Sequence, residues 1–154
     1  MTTGSGASGT AEYLAGSTST PVYIRLAMVL GHTRPERVLV KSPYHTRCVR
    51  SGEVHELIAV RREDLRGDKY SGASYLGFAE VTASGVLHVG QIVTVADRAL
   101  GTLAGFDYTH YPNHLNLLIE TPDRQHGRSL GLCLNQTGAF ATTDSPASPL
   151  CDLS

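Results

Sequence analysis

The sequence predicts an all-β protein: a small single-domain, Greek-key-like β-barrel with flexible N- and C-terminal tails. Short stretches of β-branched and apolar residues recur at close spacing, and turns that contain glycine separate them. No long stretch repeats its apolar residues with the 3.6-residue period of a helix. The length of 154 residues favours one domain, and 41% hydrophobic residues are enough to build a core.

The two ends of the chain differ in composition from its middle. Residues 1–20 are mostly Gly, Ser, Thr and Ala, so we expect a flexible leader. Residues 142–154 carry Thr, Ser, Pro and Asp, which is typical of a flexible tail. The ordered β-barrel domain is therefore expected at residues 21–141.

Within that domain, β-branched and apolar residues between turn signals predict nine strands. In chain order they are 22–30, 37–41, 53–61, 75–82, 91–96, 100–106, 114–120, 130–134 and 139–141. Turns are expected at 83–85 and at Asp97-Arg98. Residues 61–70 are compatible with a short helix or a loop, because their charges do not distinguish the two.

Two of these strands show clear alternation, which sets the direction of their side chains. In 53–61, Glu53 and His55 share the face of Leu57, whereas the even-numbered residues share the other. In 114–120, the odd-numbered residues are Leu or Ile and form the apolar face. His114 and Asn116 are therefore expected on the opposite face.

One segment resembles a known architecture. Residues 77–95, followed by 100–105, fit the pattern strand, turn, G-x-L-x-V-G-x-x-V-x-V, strand. This resembles the small Greek-key barrels that form the second domains of translation factors. The resemblance implies that Leu87 and Val89 pack inward and that Gly90 lets the chain bend. It implies architecture only, since one barrel type serves many functions.

Composition and missing motifs exclude several classes of function. The formal net charge of −1 disfavours binding to nucleic acid, although arginines make the middle of the chain locally basic. No apolar run approaches the 18 residues of a membrane span. The chain lacks G-x-G-x-x-G, G-x-x-x-x-G-K-[ST] and G-x-S-x-G. Three cysteines without C-x-x-C spacing, and no export signal, predict a reduced, cytoplasmic protein.

The segment 105–116 is the richest in chemically active side chains. It lies between two predicted apolar strands, and Pro112 prevents a helix interior there. Histidine exchanges protons near neutral pH, and a carboxylate can orient an imidazole. The candidate catalytic residues here are His110, His114 and Asp107, and the candidate substrate-binding residues are Tyr108, Asn113 and Asn116. An ordinary connecting loop, with Asp107 and Asn113 capping turns, is the alternative interpretation.

The segment 42–56 supplies the remaining candidates. Glu53 and His55 lie about 7 Å apart on one strand face, which lets them share a pocket. Glu53 is a candidate orienting group or second acid–base group, and Arg47 can clamp a carboxylate or phosphate. His55, Arg47 and His45 are candidate substrate-binding residues. An exposed strand face with surface ion pairs explains the same residues equally well.

Three functions follow from these candidates. The leading one is an enzyme without cofactor that transfers protons on a small organic substrate, as an isomerase, cyclase or lyase, in bacterial natural-product biosynthesis. The alternative is a non-catalytic module that binds a small ligand, RNA or protein. The third is a metal-dependent enzyme with His110, His114 and either His55 or His45 as ligands, which Pro112 disfavours because paired ligands four residues apart usually lie on a helix. We therefore assign no metal ligand and no cofactor, and leave a homo-oligomer open.

Overall fold

The structure, a computed structural model, describes residues 18–142. These residues form eleven strands and one short 3-10 helix at Arg62–Asp64. The strands are β1 (Val22–Val29), β2 (Thr33–Val40), β3 (Thr46–Val49), β4 (Val54–Val60), β5 (Leu65–Arg66), β6 (Lys69–Val81), β7 (Gly85–His88), β8 (Ile92–Val95), β9 (Arg98–Asp107), β10 (Asn116–Glu120) and β11 (Thr137–Ala141).

Seven strands close into a ring of backbone hydrogen bonds, in the order β1-β11-β8-β9-β10-β4-β6 and back to β1. The sheet is mixed, because β10 and β4 run parallel whereas the other neighbours in the ring run antiparallel. β2 and β5 pair with β6 outside the ring, and β3 and β7 form a separate two-stranded sheet. The protein is thus an all-β single domain whose ring is not evenly barrel-like.

Two apolar clusters lie on the two faces of this sheet. All seven strands of the ring contribute side chains to the larger cluster, which includes Leu57, Phe106 and Leu117. The smaller cluster collects residues of β4, β6, β9 and β10 that point the other way, such as Ile58 and Leu118, beneath Leu39 of β2. One stretch of the ring is therefore buried on both faces, and we call the face with the smaller cluster the outer face.

Local sequence explains two bends of the chain. A Cβ atom at position 77 would collide with the carbonyl oxygen of Met28, so only glycine fits where β6 shifts register against β1 and β4. The β8–β9 hairpin turns through Ala96 and Asp97, both with positive φ, the conformation that matches the twist of a two-residue hairpin. The turn was expected one residue later.

Most of the predicted strands are present, with shifted ends. The strand expected at 130–134 is wrong: the chain turns there, with Gly131 in a left-handed conformation and Leu134 60% exposed. The strands β3 and β7 were not predicted. Residues 61–70 contain the 3-10 helix and β5. Residues 1–17 and 143–154 of the expected leader and tail lie outside the described residues.

Leu87 is buried and Val89 packs against the larger cluster, as the barrel resemblance implies. Gly90, with a φ of 101°, supplies the expected bend. Between residues 18 and 142, no helix has the length and apolar character needed to cross a membrane.

Candidate functional site

Strand register places four side chains in one row on the outer face. Asn116 of β10 aligns with Glu56 of β4 on one side and with Asp107 of β9 on the other. Phe78 of β6 aligns with Glu56 and extends the row. Aligned residues of neighbouring strands point to the same face, so the row runs across four strands. Glu56, Asn116 and Asp107 are all buried.

The loop between β9 and β10 adds two histidines to this row. The rings of His110 and His114 lie 5.0 Å apart, and the edge of His114 meets Phe78 at 5.1 Å. Nε2 of His114 lies 3.3 Å from Oε1 of Glu56. One ligand atom from each of Glu56, His110 and His114 lies within 4.8 Å of the others. We call these three residues the Glu–His cluster.

Asp107 and Asn116 hold the base of the cluster in place. The Asp107 carboxylate accepts hydrogen bonds from the backbone N–H groups of Val40 at 2.7 Å and Thr109 at 2.9 Å, and from Nδ2 of Asn116 at 3.1 Å. Burial raises the pKa of Asp107, but these hydrogen bonds outweigh it and leave the pKa below its ordinary value. Asp107 is therefore a fixed carboxylate whose acceptor atoms are already used.

Asn116 is fully buried, and its two amide atoms differ in their contacts. Nδ2 donates to Asp107 and lies 3.4 Å from Nδ1 of His110. Oδ1 has no hydrogen-bond partner among residues 18–142. A buried acceptor without a donor is a rare and costly arrangement.

Burial changes the proton affinity of two members of the cluster. Burial raises the pKa of Glu56, and the nearby positive charges of His110 and Arg37 oppose this only in part. Burial lowers the pKa of His114, and the positive charge of His110 lowers it further. In both residues the buried surroundings disfavour the charged form.

Glu53 and His55 form a separate pair. Oε1 of Glu53 lies 2.8 Å from Nε2 of His55, and Nδ1 of His55 accepts the backbone N–H of Leu115 at 3.0 Å. Burial lowers the pKa of His55, against the effect of Glu53. Alternation along β4 puts this pair on the face of Leu57, opposite to Glu56. The carboxylate of the cluster is thus Glu56, not the predicted Glu53.

The two predicted polar segments do meet, at several contacts. Besides the contacts of Glu56 and His55, the Arg47 guanidinium lies 5.8 Å from the ring centre of Tyr111. Tyr44 meets Tyr108 at 6.0 Å. His45 is exposed, and its backbone oxygen accepts the N–H of Val89. This second group lies beside the Glu–His cluster along the loop.

Sequence reasoning named both histidines but missed Glu56 as their partner. Glu56 carried a usable signal, because it shares the face of Ile58 and Val60 in an otherwise apolar run, where a carboxylate needs a partner. Pro112 correctly predicted that no helix forms here, and the loop brings His110 and His114 together without one. Asn113 supports this arrangement, with Nδ2 2.9 Å from Nδ1 of His114.

A cavity of about 160 Å³ lies elsewhere, lined by Arg98, Leu100, Thr121, Asp123 and neighbouring residues. It contains none of the predicted site residues, so it does not change the choice of site.

No curated protein and no solved structure matches the chain. A family model matches residues 17–141, which is most of the sequence and includes the whole row and the loop of the candidate site. The chain therefore belongs to DUF6917, a family of unknown function.

Proposed function

We propose that the protein is a metal-dependent enzyme that acts on a small organic substrate, with a divalent cation held by Glu56, His110 and His114. The observation that carries the proposal is the convergence of their three ligand atoms within 4.8 Å of one another. Two imidazoles and a carboxylate suit Zn²⁺, Fe²⁺ or Mn²⁺ and leave coordination positions open.

The spacing of the pair fits a shared ion. Zinc–nitrogen and zinc–oxygen bonds are about 2.0–2.2 Å long, so two ligands of one tetrahedral ion lie about 3.3 Å apart. Oε1 of Glu56 and Nε2 of His114 lie 3.3 Å apart. The two atoms therefore need no rearrangement to share an ion, whereas the ligand atom of His110, within 4.8 Å of both, would have to move closer.

The surroundings supply the groups that usually orient metal-bound imidazoles. The amide of Asn113 lies beside Nδ1 of His114. Partners of this kind fix the ring and its tautomer. The Asn113 amide can turn its oxygen towards Nδ1, because oxygen and nitrogen of an amide occupy equivalent positions. The unpartnered Oδ1 of Asn116 gives a cation a further acceptor.

A divalent cation with open coordination positions would polarise a carbonyl oxygen of the substrate or lower the pKa of a bound water molecule. Either effect supports the isomerase, lyase or cyclase chemistry that we expect from the sequence. The residues of this chain would hold the ion through Glu56, His110 and His114 and fix their orientation through Asp107 and Asn116.

Metal uptake by untagged protein tests the proposal. After EDTA treatment and dialysis, titration with Zn²⁺, Mn²⁺ and Fe²⁺ followed by elemental analysis should give one ion per chain for at least one metal. Glu56→Gln and His114→Ala should lose that ion, whereas His126→Ala, which changes a half-buried histidine outside the cluster, should keep it. Uptake that is absent, or equal in all variants, contradicts the proposal.

Turnover needs a second measurement. Metal-loaded protein in D₂O, with a panel of enolisable carbonyl compounds, should exchange substrate protons for deuterium in NMR spectra. EDTA-treated protein should not. Exchange that survives EDTA in the wild type but not in His114→Ala would instead support proton transfer without a metal.

That metal-free reaction is our second candidate, as the sequence led us to expect. One observation favours it: Nε2 of His114 lies within hydrogen-bond reach of Oε1 of Glu56. In this case His114 and Glu56 exchange protons with substrate directly, and Asp107 keeps the positioning role that its three hydrogen bonds give it.

We also propose that the enzyme works in the cytoplasm and that its ring is a distorted Greek-key-like barrel. Cys48 and Cys133 are free thiols, which suits a reducing compartment. The succession of β6, β7, β8 and β9 follows the barrel pattern of the sequence.

A further inference from the structure

Three of the seven tyrosines of the chain meet beside the Glu–His cluster. The ring of Tyr108 lies 6.0 Å from that of Tyr44 and 5.5 Å from that of Tyr111. Tyr108 packs against the larger apolar cluster, but Tyr44 is 61% and Tyr111 53% exposed. We call Tyr44, Tyr108 and Tyr111 the tyrosine wall. Neighbouring exposed aromatic rings on a supported base are typical of a binding surface.

The side chain of Arg47 lies against this wall. The Arg47 guanidinium lies over the Tyr111 ring, and Nε of Arg47 is buried with no hydrogen-bond partner among residues 18–142. In the same range no carboxylate lies within ion-pair distance of Arg47. Glu53, whose charge Arg47 influences, is already bound by His55 and by the backbone N–H of Arg50.

We propose that Arg47 and the tyrosine wall bind a planar, conjugated organic anion, such as an aromatic or enolic carboxylate. The flat ring of the ligand stacks on the exposed faces of Tyr44 and Tyr111. Its carboxylate accepts hydrogen bonds from the guanidinium of Arg47, whose planar arrangement of N–H groups matches two carboxylate oxygens. A cationic ligand does not fit, because the Arg47 guanidinium beside the Tyr111 ring would repel it.

As a statement about substrate, this inference rests on the proposed function. Tyr111 follows His110 directly, and the loop that carries the wall also carries both histidines of the cluster. A carboxylate bound at Arg47 would therefore lie at the loop that carries both histidines, on the side of the Glu53–His55 pair. Binding itself does not need the metal ion, because no member of the wall belongs to the Glu–His cluster.

The test uses the full chain, freed of metal with EDTA, and four small probes. Benzoate is planar and anionic, benzamide planar and neutral, cyclohexanecarboxylate anionic but not planar, and benzyltrimethylammonium aromatic but cationic. Saturation-transfer NMR and calorimetry should give benzoate the highest affinity of the four. A preference for any other probe would overturn the proposal, and this ranking needs no variant.

Variants then locate the site. Arg47→Gln and Tyr111→Ala should each weaken benzoate binding about tenfold or more, the effect of losing a charged hydrogen bond or a stacking face. Arg47→Lys should bind with intermediate affinity. Arg50→Gln, an exposed arginine three residues away, is the matched control and should bind as the wild type does. Equal binding by Arg47→Gln and wild type would place benzoate elsewhere and refute the assignment.

The outcome is separable from that of the metal experiment. Benzoate binding without metal uptake would leave this inference standing and remove the proposed metal enzyme. Metal uptake without benzoate binding would do the reverse.

Discussion

Oε1 of Glu56 lies 3.3 Å from Nε2 of His114, although 58 positions separate the two residues in sequence. The contact exists because β4 and β10 run side by side in parallel, with Asn116 aligned to Glu56. His114 is two residues before Asn116, so the loop that enters β10 reaches back over Glu56. Parallel pairing therefore positions the groups that we propose as metal ligands.

A bound divalent ion should raise the melting temperature of the wild type. A ligand that binds only the folded chain, at one hundred times its dissociation constant, stabilises it by about 2.7 kcal/mol, which is about 5–10 °C for a domain of this size. Differential scanning fluorimetry with and without the ion, followed by EDTA, measures the shift. Glu56→Gln should show no shift, and an equal shift in that variant would place the ion elsewhere.

Asp107→Asn should destabilise the fold at neutral pH. The change replaces one acceptor oxygen by a donor, so at least one of the N–H groups of Val40, Thr109 and Asn116 loses its partner. We expect a loss of about 2–4 kcal/mol in urea denaturation at pH 7. Asp123→Asn, at an exposed aspartate, should change stability little. A loss below about 0.5 kcal/mol for Asp107→Asn would show that its bonds are not structural.

The pKa shift of Asp107 also predicts how the stability difference between the wild type and this variant depends on pH. The pKa of Asp107 is lower in the folded chain than its ordinary value of 3.8, so its stabilising contribution is complete above about pH 4. That contribution is lost as the pH falls through the folded-state pKa. The stability difference between wild type and Asp107→Asn should therefore be constant from pH 5 to 7 and narrow in acid. A difference that widens in acid would contradict the sign of the shift.

Leu118→Ala should show that the outer face of β10 packs into a hydrophobic core. Leu118 is fully buried in the smaller apolar cluster, so its truncation should cost about 2–5 kcal/mol of unfolding free energy. Leu134→Ala removes the same atoms from a side chain that is 60% exposed and should cost less than about 0.5 kcal/mol. Similar losses in the two variants would mean that β2 does not seal this face.

Tyr70→Phe tests the polar end of that cluster. The Tyr70 hydroxyl donates to Oε2 of Glu120 at 2.5 Å, and burial raises the pKa of Tyr70 well above its usual range. Removing a buried bond to a carboxylate should cost about 1.5–3 kcal/mol in chemical denaturation. Tyr23→Phe, at a tyrosine 47% exposed, is the control. A variant as stable as the wild type would show that water replaces the bond.

Local patterns of the sequence predicted much of the fold and part of the site. Alternation correctly assigned Leu117 and Ile119 to one face of β10 and Asn116 to the other, because side-chain direction in a strand depends only on the two-residue period. Apolar residues at 130–134 suggested a strand that is absent, since the backbone turns at Gly131 and buries Leu132 without a pairing partner strand.

The partner of each strand could not be read from its own residues. Glu56 looked like one charged residue of an exposed strand face, because nothing local shows that β4 pairs with β10 on one side and β6 on the other. The loop conformation that brings His110 to His114 likewise involves contacts with residues outside the loop. His114 contacts Phe78 of the distant strand β6, and His110 contacts Asn116 of β10. Long-range register, rather than composition, determines which polar residues share a site.

The parallel pairing of β4 with β10 also has a consequence for the order of assembly. β4 leaves the ribosome long before β10, and five strands are synthesised between them. Until residue 120 has emerged, Glu56 has no neighbour on that edge and the two histidines have no carboxylate to meet. Non-local parallel pairs form slowly, so we expect the cluster to arise late in folding. A partly synthesised or partly folded chain thus has separate ligands but no site, and occupancy of the cluster by an ion would report that the ring has closed.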